Sequence, residues 1–234
     1  MNVLGVPIEA RSLEETVERG GWIVTANPEI LLYAHRHPEY RDALNQADQL
    51  TADGFGLWGW LKLHGIKAYR VTGVDVSERF IQRAWQQGWK VGLFGGEFDE
   101  AEEAAAGLRK AYPDLNIHVE KGGRVGNDGT TDAQTDEALQ RMIQFGPQLL
   151  LVAFGHPRQE MWLHLHRKDF PELIAAVGVG GTFNFWAGRS KRAPKFWQVI
   201  GLEWLWRLLM EPKRWKRIVD AVIVFPWTVL TAKK

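Results

Sequence analysis

Asp53 stands in the stretch TADGFG, directly after the apolar run Gln49–Ala52 and directly before a glycine. A carboxylate there belongs at the mouth of a crevice, where it can act as a general base and take the proton of an attacking hydroxyl. An aspartate at a strand end can equally cap the following helix, and spacing alone does not choose between the two. Thr25 and Asn27, in TANPE, offer a hydroxyl and an amide that can bind a sugar or fix the carboxylate, although Pro28 also makes Asn27 a good helix N-cap. Two glycine loops, GLFGGEFDE (92–100) and GVGGTFNF (178–185), run from apolar strands into helices. That arrangement aims backbone N–H groups and a helix dipole at a phosphate, here through Gly95, Gly96, Gly180 and Gly181. Glycines at such turns can also serve only as steric relief.

Other chemistries find less support. The first glycine loop reads G-x-x-G-G, and the second places Phe183 where a dinucleotide fingerprint needs its last glycine. Glu120, at the end of a predicted strand, can serve as a ribose-binding acid, which keeps a nicotinamide-dependent oxidoreductase as an alternative. G-x-S-x-G, the P-loop and H-E-x-x-H are all missing from the sequence. His164 and His166, two apart on a predicted helix, point to different faces and do not make a metal pair. D-x-D is absent too, so no metal site is expected and any anion must be neutralised by basic side chains and backbone dipoles. No cofactor is expected.

These loops need a frame to hold them. Short apolar or β-branched runs at Val3–Ile8, Trp22–Ala26, Gln49–Ala52, Lys90–Phe94, Ile117–Lys121, Leu149–Phe154 and Ile174–Val179 alternate with amphipathic stretches. The helical stretches are Ile30–Ala47, Val76–Gln87, Glu100–Ala111, Asp132–Phe145 and Arg158–Lys168. Alternating βα units predict an α/β fold, Rossmann-like, with a mostly parallel sheet and helices on both faces. Ligands of such sheets bind beyond the carboxyl ends of the strands, where TANPE, TADGFG, the two glycine loops and AFGHPRQE (153–160) all fall. From about Lys191 the strands stop. A domain spanning residues 1–190 and a helical, basic and aromatic appendage over 191–234 are therefore expected.

Charge separates along the same line. Residues 189–234 carry 11 Lys and Arg against 3 Asp and Glu, leaving 18 against 25 for residues 1–188, although the whole chain is only +1. A basic tail on an acidic body suits an anionic partner. Trp204, Trp206 and Trp215 stand among Arg207, Lys213, Arg214, Lys216 and Arg217, residue types that settle at the headgroup level of anionic membranes. Leu202, Leu205, Trp206 and Leu209 fit one buried helical stripe. Nucleic acid is not the expected partner, because the basic character is confined to one end. The apolar run Ile218–Leu230, broken by Asp220 and Pro226, falls short of the ~20 residues needed to span a bilayer, and it is expected to lie on the membrane without serving the chemistry. The absence of cysteine and of a signal-like N-terminus fits the cytoplasm.

The motifs TANPE, TADGFGLW, RVTGVDV (70–76), KVGLFGG, AFGHPRQEMW, GVGGTF, KRAPKFWQ and GLEWLWRLLMEPKRWKR, in this order from about Val3 to Arg217, resemble those of the WecG/TagA/CpsF family of bacterial glycosyltransferases. The resemblance implies an inverting, metal-independent transferase that moves a sugar, N-acetylmannosamine or a related hexose, from a UDP donor to a polyprenyl-diphosphate-linked saccharide. It further implies work at the inner face of the cell membrane, with the enzyme peripherally associated, in teichoic acid, capsule or exopolysaccharide assembly. It assigns the base to Asp53, polar neighbours to Thr25 and Asn27, and substrate contacts to Arg70, Thr72, Asp75, Gln159 and Glu160. Arg192, Arg207 and Arg214 are placed towards the diphosphates. His156 stands where the family resemblance leads one to expect a small residue, often alanine, and Phe183-Asn184 replaces a more usual Phe-Asp. A non-catalytic membrane-associated scaffold is the other alternative, and a homo-oligomer is compatible with the sequence.

Overall fold

The computed structural model describes residues 1–190, 193–194, 196–197, 205–206, 208 and 215–232. Arg192, Trp204, Arg207 and Arg214, and with them most of the expected appendage motif, lie outside the described residues; so do Leu202 and Leu209 of the expected buried stripe. Of that stripe, Leu205 and Trp206 are described and half-buried.

Six strands form one parallel sheet: β3 (Gly21–Ala26), β4 (Gln49–Ala52), β5 (Val91–Gly95), β6 (Ile117–Glu120), β7 (Leu149–Ala153) and β8 (Ala175–Gly178), in the spatial order β4-β3-β8-β7-β5-β6. The expected fold class holds, and the strand ends lie close to those read from the sequence. The first expected strand, Val3–Ile8, is instead a hairpin of β1 (Asn2–Val3) and β2 (Val6–Pro7), because Leu4 and Gly5 turn the chain at positive φ.

The strands alternate their side chains between two cores, as period two demands. Trp22, Val24, Leu150 and Val152 face one cluster, shared with α2 (Pro28–Arg36), α3 (Pro38–Leu44), α4 (Phe55–Leu63), α7 (Ala133–Phe145) and α8 (Arg158–His166). Ile23, Val91, Leu93, Leu149 and Leu151 face the other, covered by α1 (Leu13–Arg19), α5 (Gly73–Gln87), α6 (Glu100–Ala111) and α9 (Thr182–Trp186). Both faces are thus covered, and Phe80, Phe94 and Phe183 are fully buried, at about 1.5–3 kcal/mol for each such side chain.

One expected helix is two. The Ile30–Ala47 periodicity divides at His37, which is extended (φ −125°, ψ 93°) because Pro38 disfavours the helical conformation in the residue before it. The resulting bend turns α3 so that Tyr40 packs near α8. At the C-terminus, α10 (Trp215–Val219), a π-helical segment (Asp220–Val224) and α11 (Phe225–Thr231) follow one another, and α11 packs on α2 and α4. Phe225 is fully buried in that contact, whereas Trp215, Ile223, Trp227 and Leu230 are exposed.

Candidate active site

A cavity of about 830 Å³ opens where all six strands of the sheet end, its wall built from the loops that follow β3, β4, β5, β6, β7 and β8. Its size falls within the ~300–1,000 Å³ of ligand sites.

Asp53 lines this cavity and is half-buried. Its N–H donates to the Ala26 carbonyl at 2.7 Å, tying the end of β4 to β3. The N-cap position of α4 is Gly54, at φ 80°, so Asp53 precedes the cap position and does not occupy it. Asn27 does cap α2, its Oδ1 accepting from Ile30 N–H at 3.1 Å, and it also lines the cavity beside Thr25.

Arg70 reaches this corner through tertiary structure. A lone parallel bridge pairs Arg70 with Ala52, and Val71 N–H donates to the Ala52 carbonyl at 2.9 Å. The Arg70 guanidinium lies 4.9 Å from the Phe55 ring centre. The next residues open α5, whose first turn faces the cavity through Thr72, Gly73 and Val74. Thr72 is its N-cap: the hydroxyl donates to the Asp75 carboxylate at 2.8 Å and accepts from Asp75 N–H at 3.1 Å. Asp75 therefore orders the helix start and lies off the cavity wall. A 15-residue helix starting here brings the positive end of its dipole to the site.

Gln159 and Glu160 are buried, and their polar atoms are engaged within the protein. The Glu160 carboxylate accepts from Gln159 Nε2 at 2.7 Å and from the Tyr40 hydroxyl at 3.1 Å, and His156 Nδ1 lies 3.3 Å away. Tyr40 OH and His156 Nδ1 are 3.0 Å apart. A hydroxyl donates once, so with the Tyr40 proton on Glu160 the imidazole carries its proton on Nδ1. Burial first, and the Glu160 charge second, hold the Tyr40 hydroxyl well above the usual tyrosine range, keeping it a neutral donor. Gln159 Oε1 in turn accepts from Gly180 N–H at 3.0 Å. The network thus fixes the loop after β8, and Glu160 acts through Gln159.

The two glycine loops differ from one another. Gly95, at φ 93°, ends β5 and lies off the wall; a Cβ there would come within 2.9 Å of the Phe154 ring, so its lack of side chain serves packing. Gly96 lines the cavity, yet its N–H is given to the Ala153 carbonyl at 3.0 Å, and Glu97 N–H to Glu100 at 3.1 Å. In the second loop Gly180 N–H is held by Gln159 and Thr182 N–H by the Val179 carbonyl. Gly181 has open space around it and is the better placed to meet an anion.

Several wall residues escaped the sequence reading. Arg158 is exposed on the wall at the start of α8, and Lys121 directly follows β6; both lie in or at the end of post-strand loops, the one signal that could have found them. Ile218, Ala221 and Val222 also line the cavity. The C-terminal run is therefore part of the site, which corrects the expectation that it serves the membrane alone: α11 is held on α2 and α4 by Phe225, and the preceding turns close one side of the crevice.

Glu120 is not a ribose acid. It sits on the edge strand β6, off the cavity wall, and takes a two-pronged contact from Arg141, Nε to Oε1 and Nη2 to Oε2, each at 2.9 Å. Its burial works against the charge, but the hydrogen bonds from Arg141 and His118 prevail and hold the carboxyl below the usual range. His164 packs near Trp22 and His166 meets Asp169, and among the described residues no three His, Asp or Glu side chains converge in a group able to hold a metal.

A parallel sheet whose cavity holds a carboxylate, an arginine and a helix N-terminus admits several chemistries. The sequence profile of the Glycosyl transferase WecG/TagA/CpsF family matches residues 1–234. The chain belongs to this family. Three similar proteins, from Staphylococcus aureus strains MW2, NCTC 8325 / PS 47 and COL, are each 30% identical over 251 residues, covering 100% of this chain and 93% of theirs. Each bears the name N-acetylglucosaminyldiphosphoundecaprenol N-acetyl-beta-D-mannosaminyltransferase. This WecG/TagA/CpsF protein is accordingly a glycosyltransferase, and the oxidoreductase and scaffold alternatives fall.

Proposed function

We propose that this transferase moves N-acetylmannosamine or a related hexose from a UDP donor to a saccharide carried on a polyprenyl diphosphate, with inversion at the anomeric carbon. The observation that carries the reading is the half-buried Asp53 on the cavity wall, beside the Arg70 segment and the N-terminus of α5. Asp53 takes the proton of the acceptor hydroxyl as its oxygen bonds to the anomeric carbon. The bond from that carbon to the UDP oxygen breaks, and UDP leaves with the electron pair. One displacement inverts the centre.

Charge gained by the leaving diphosphate needs preorganised compensation. Among the described residues the cavity offers Arg70, Lys121, Arg158, the α5 N-terminus and the open Gly181 loop; the family resemblance adds Arg192, Arg207 and Arg214. Together with the lack of D-x-D in the sequence, this set favours turnover without a metal. Thr25 and Asn27 flank the base and suit contacts to sugar hydroxyls.

Residues 191–234 form, in this reading, an appendage that rests on the inner face of the cell membrane. Its support is the two-sided C-terminal helix: Phe225 points inward, while Ile223, Trp227 and Leu230 are exposed. Among the described residues no helix is long and apolar enough to cross a membrane, so contact by one face is the form of association the helix allows.

Asp53→Asn tests the chemistry. UDP affinity should stay within a few-fold while kcat falls by roughly 10²–10⁴, the usual cost of losing a general base. Near-normal turnover by a stable Asp53→Asn protein removes Asp53 from the mechanism.

A further inference from the structure

A second concavity, of about 480 Å³, lies along the outer side of α4 and is walled by Phe55, Trp58, Lys62, Lys67, Tyr69 and Arg70. Its charge differs from that of the main cavity. The larger site carries Glu29, Asp53, Glu97, Glu100 and Glu160 on its wall, whereas every charged side chain of the smaller one is a cation. Lys62 Nζ stands 5.5 Å from the Trp58 ring centre and the Arg70 guanidinium 4.9 Å from that of Phe55. Lys62 and Lys67 are exposed and, among the described residues, in no salt bridge. The carboxylate of Glu15, an acid that senses Lys67, accepts from the Ser12 N–H at 2.8 Å, and the Glu15 N–H donates to the Ser12 hydroxyl at 3.2 Å at the start of α1.

Aromatic faces interleaved with cations, with no acid among them, suit an amphiphilic anion. A diphosphate finds charge-assisted donors, and an apolar chain finds ring faces. Phe55 and Arg70 belong to both walls, so they form a sill between groove and cavity. Asp53 precedes Phe55 by two residues, and its neighbour Ala52 is bridged to Arg70. A sugar attached to a diphosphate in the groove would therefore cross the sill next to the base.

We infer that this groove seats the diphosphate and first isoprene units of the lipid-linked acceptor, leaving the main cavity to the nucleotide donor. The inference rests on the transferase reading above and adds to it the acceptor's site. Leu63, 86% exposed at the end of α4, and the exposed Trp227 and Leu230 of α11, which packs on α4, give the rest of the lipid an apolar surface to follow.

Calorimetry with the full-length protein tests it, using farnesyl diphosphate, farnesol and inorganic pyrophosphate as probes and UDP as the control for an intact cavity. Farnesyl diphosphate should bind at least tenfold more tightly than farnesol or pyrophosphate. Lys62→Glu/Lys67→Glu should weaken farnesyl diphosphate at least tenfold with UDP affinity kept, and Lys62→Gln/Lys67→Gln gives the same reading if the charge reversal fails to fold. Trp58→Ala should weaken farnesyl diphosphate several-fold more than pyrophosphate. Unchanged farnesyl diphosphate affinity in the lysine variants overturns the assignment. Equal affinity for pyrophosphate and farnesyl diphosphate also overturns it, leaving only an anion site. So does loss of binding to phosphatidylglycerol vesicles with farnesyl diphosphate affinity intact, which would make the lysines headgroup contacts. Because these measurements read binding and not turnover, failure of the protein to transfer sugar from any UDP donor would count against the transferase reading without deciding the groove.

Discussion

Replacing Tyr40 by phenylalanine removes one oxygen from the junction of α3, α8 and the loop after β7, and leaves the ring in place. Tyr40 is 1% exposed and Glu160 2%, so water does not readily replace the lost donor. Glu160 Oε2 would keep only His156, at 3.3 Å. Hydrogen bonds to charged groups contribute about 1.5–3 kcal/mol. The 3.1 Å contact is longer than the ~2.5–2.7 Å of the strongest hydroxyl–carboxylate pairs, which favours the low end, about 1.5–2 kcal/mol. For a chain of this size each kcal/mol moves Tm by about 2–4 °C, so Tyr40→Phe should melt roughly 3–8 °C below the parent in calorimetry. The same variant should change the alkaline limb. Folded Tyr40 keeps its proton where the unfolded residue ionises, so its contribution is complete below pH 10.0, the ordinary tyrosine value, and is lost as pH rises beyond it; Tyr40→Phe should flatten that loss. A double-mutant cycle with Glu160→Gln should give a coupling of at least about 0.5 kcal/mol. A Tm within 1 °C of the parent together with zero coupling would refute the claim that this network holds the loop after β8.

Transfer should persist in excess EDTA, and added Mg²⁺ or Mn²⁺ should change the rate little; activity abolished by chelation and restored by one divalent ion would refute the reading that basic side chains and backbone dipoles hold the diphosphate. Trp227→Ser/Leu230→Ser should reduce binding to anionic liposomes in a co-sedimentation assay while the fold is kept, whereas Phe225→Ala should cost about 3–5 kcal/mol of stability as a large-to-small change at a fully buried position. Equal melting of the two variants would contradict the two-sided reading of the C-terminal helix. The Glu120 carboxyl lies below its ordinary value of 4.5, so its contribution is present above that pH and fades as acid is added past it. Arg141→Ala should therefore lose stability at pH 7 and show a shallower acid limb in urea titrations.

Most of the scaffold was legible in the chain. The strand at Gln49–Ala52 and the helix at Glu100–Ala111 fall at the residues the pattern indicates, because period and flanking residues are local properties. A parallel sheet carries all its following loops to one end, so reading TANPE, TADGFG and AFGHPRQE as post-strand loops was enough to gather Thr25, Asn27, Asp53 and Gln159 around one cavity. Pro38, which divides the expected Ile30–Ala47 helix, is in the sequence as well, but the apolar periodicity runs on past it on both sides and hides the break.

Partners far apart in the chain required the tertiary structure. Tyr40 meets Glu160 across 120 residues only because the bend at His37 turns α3 towards α8. Whether Gly96 offers its N–H to a ligand depends on Ala153, on the adjacent strand, which takes it. Arg70 reaches the cavity wall beside Asp53 through one bridge to Ala52 at the sheet edge, and Ile218 and Val222 close the crevice because Phe225 is buried where α11 packs on α2 and α4. In each case the side chain's type is written in the sequence, but its role is set by which surface the packed elements leave beside it.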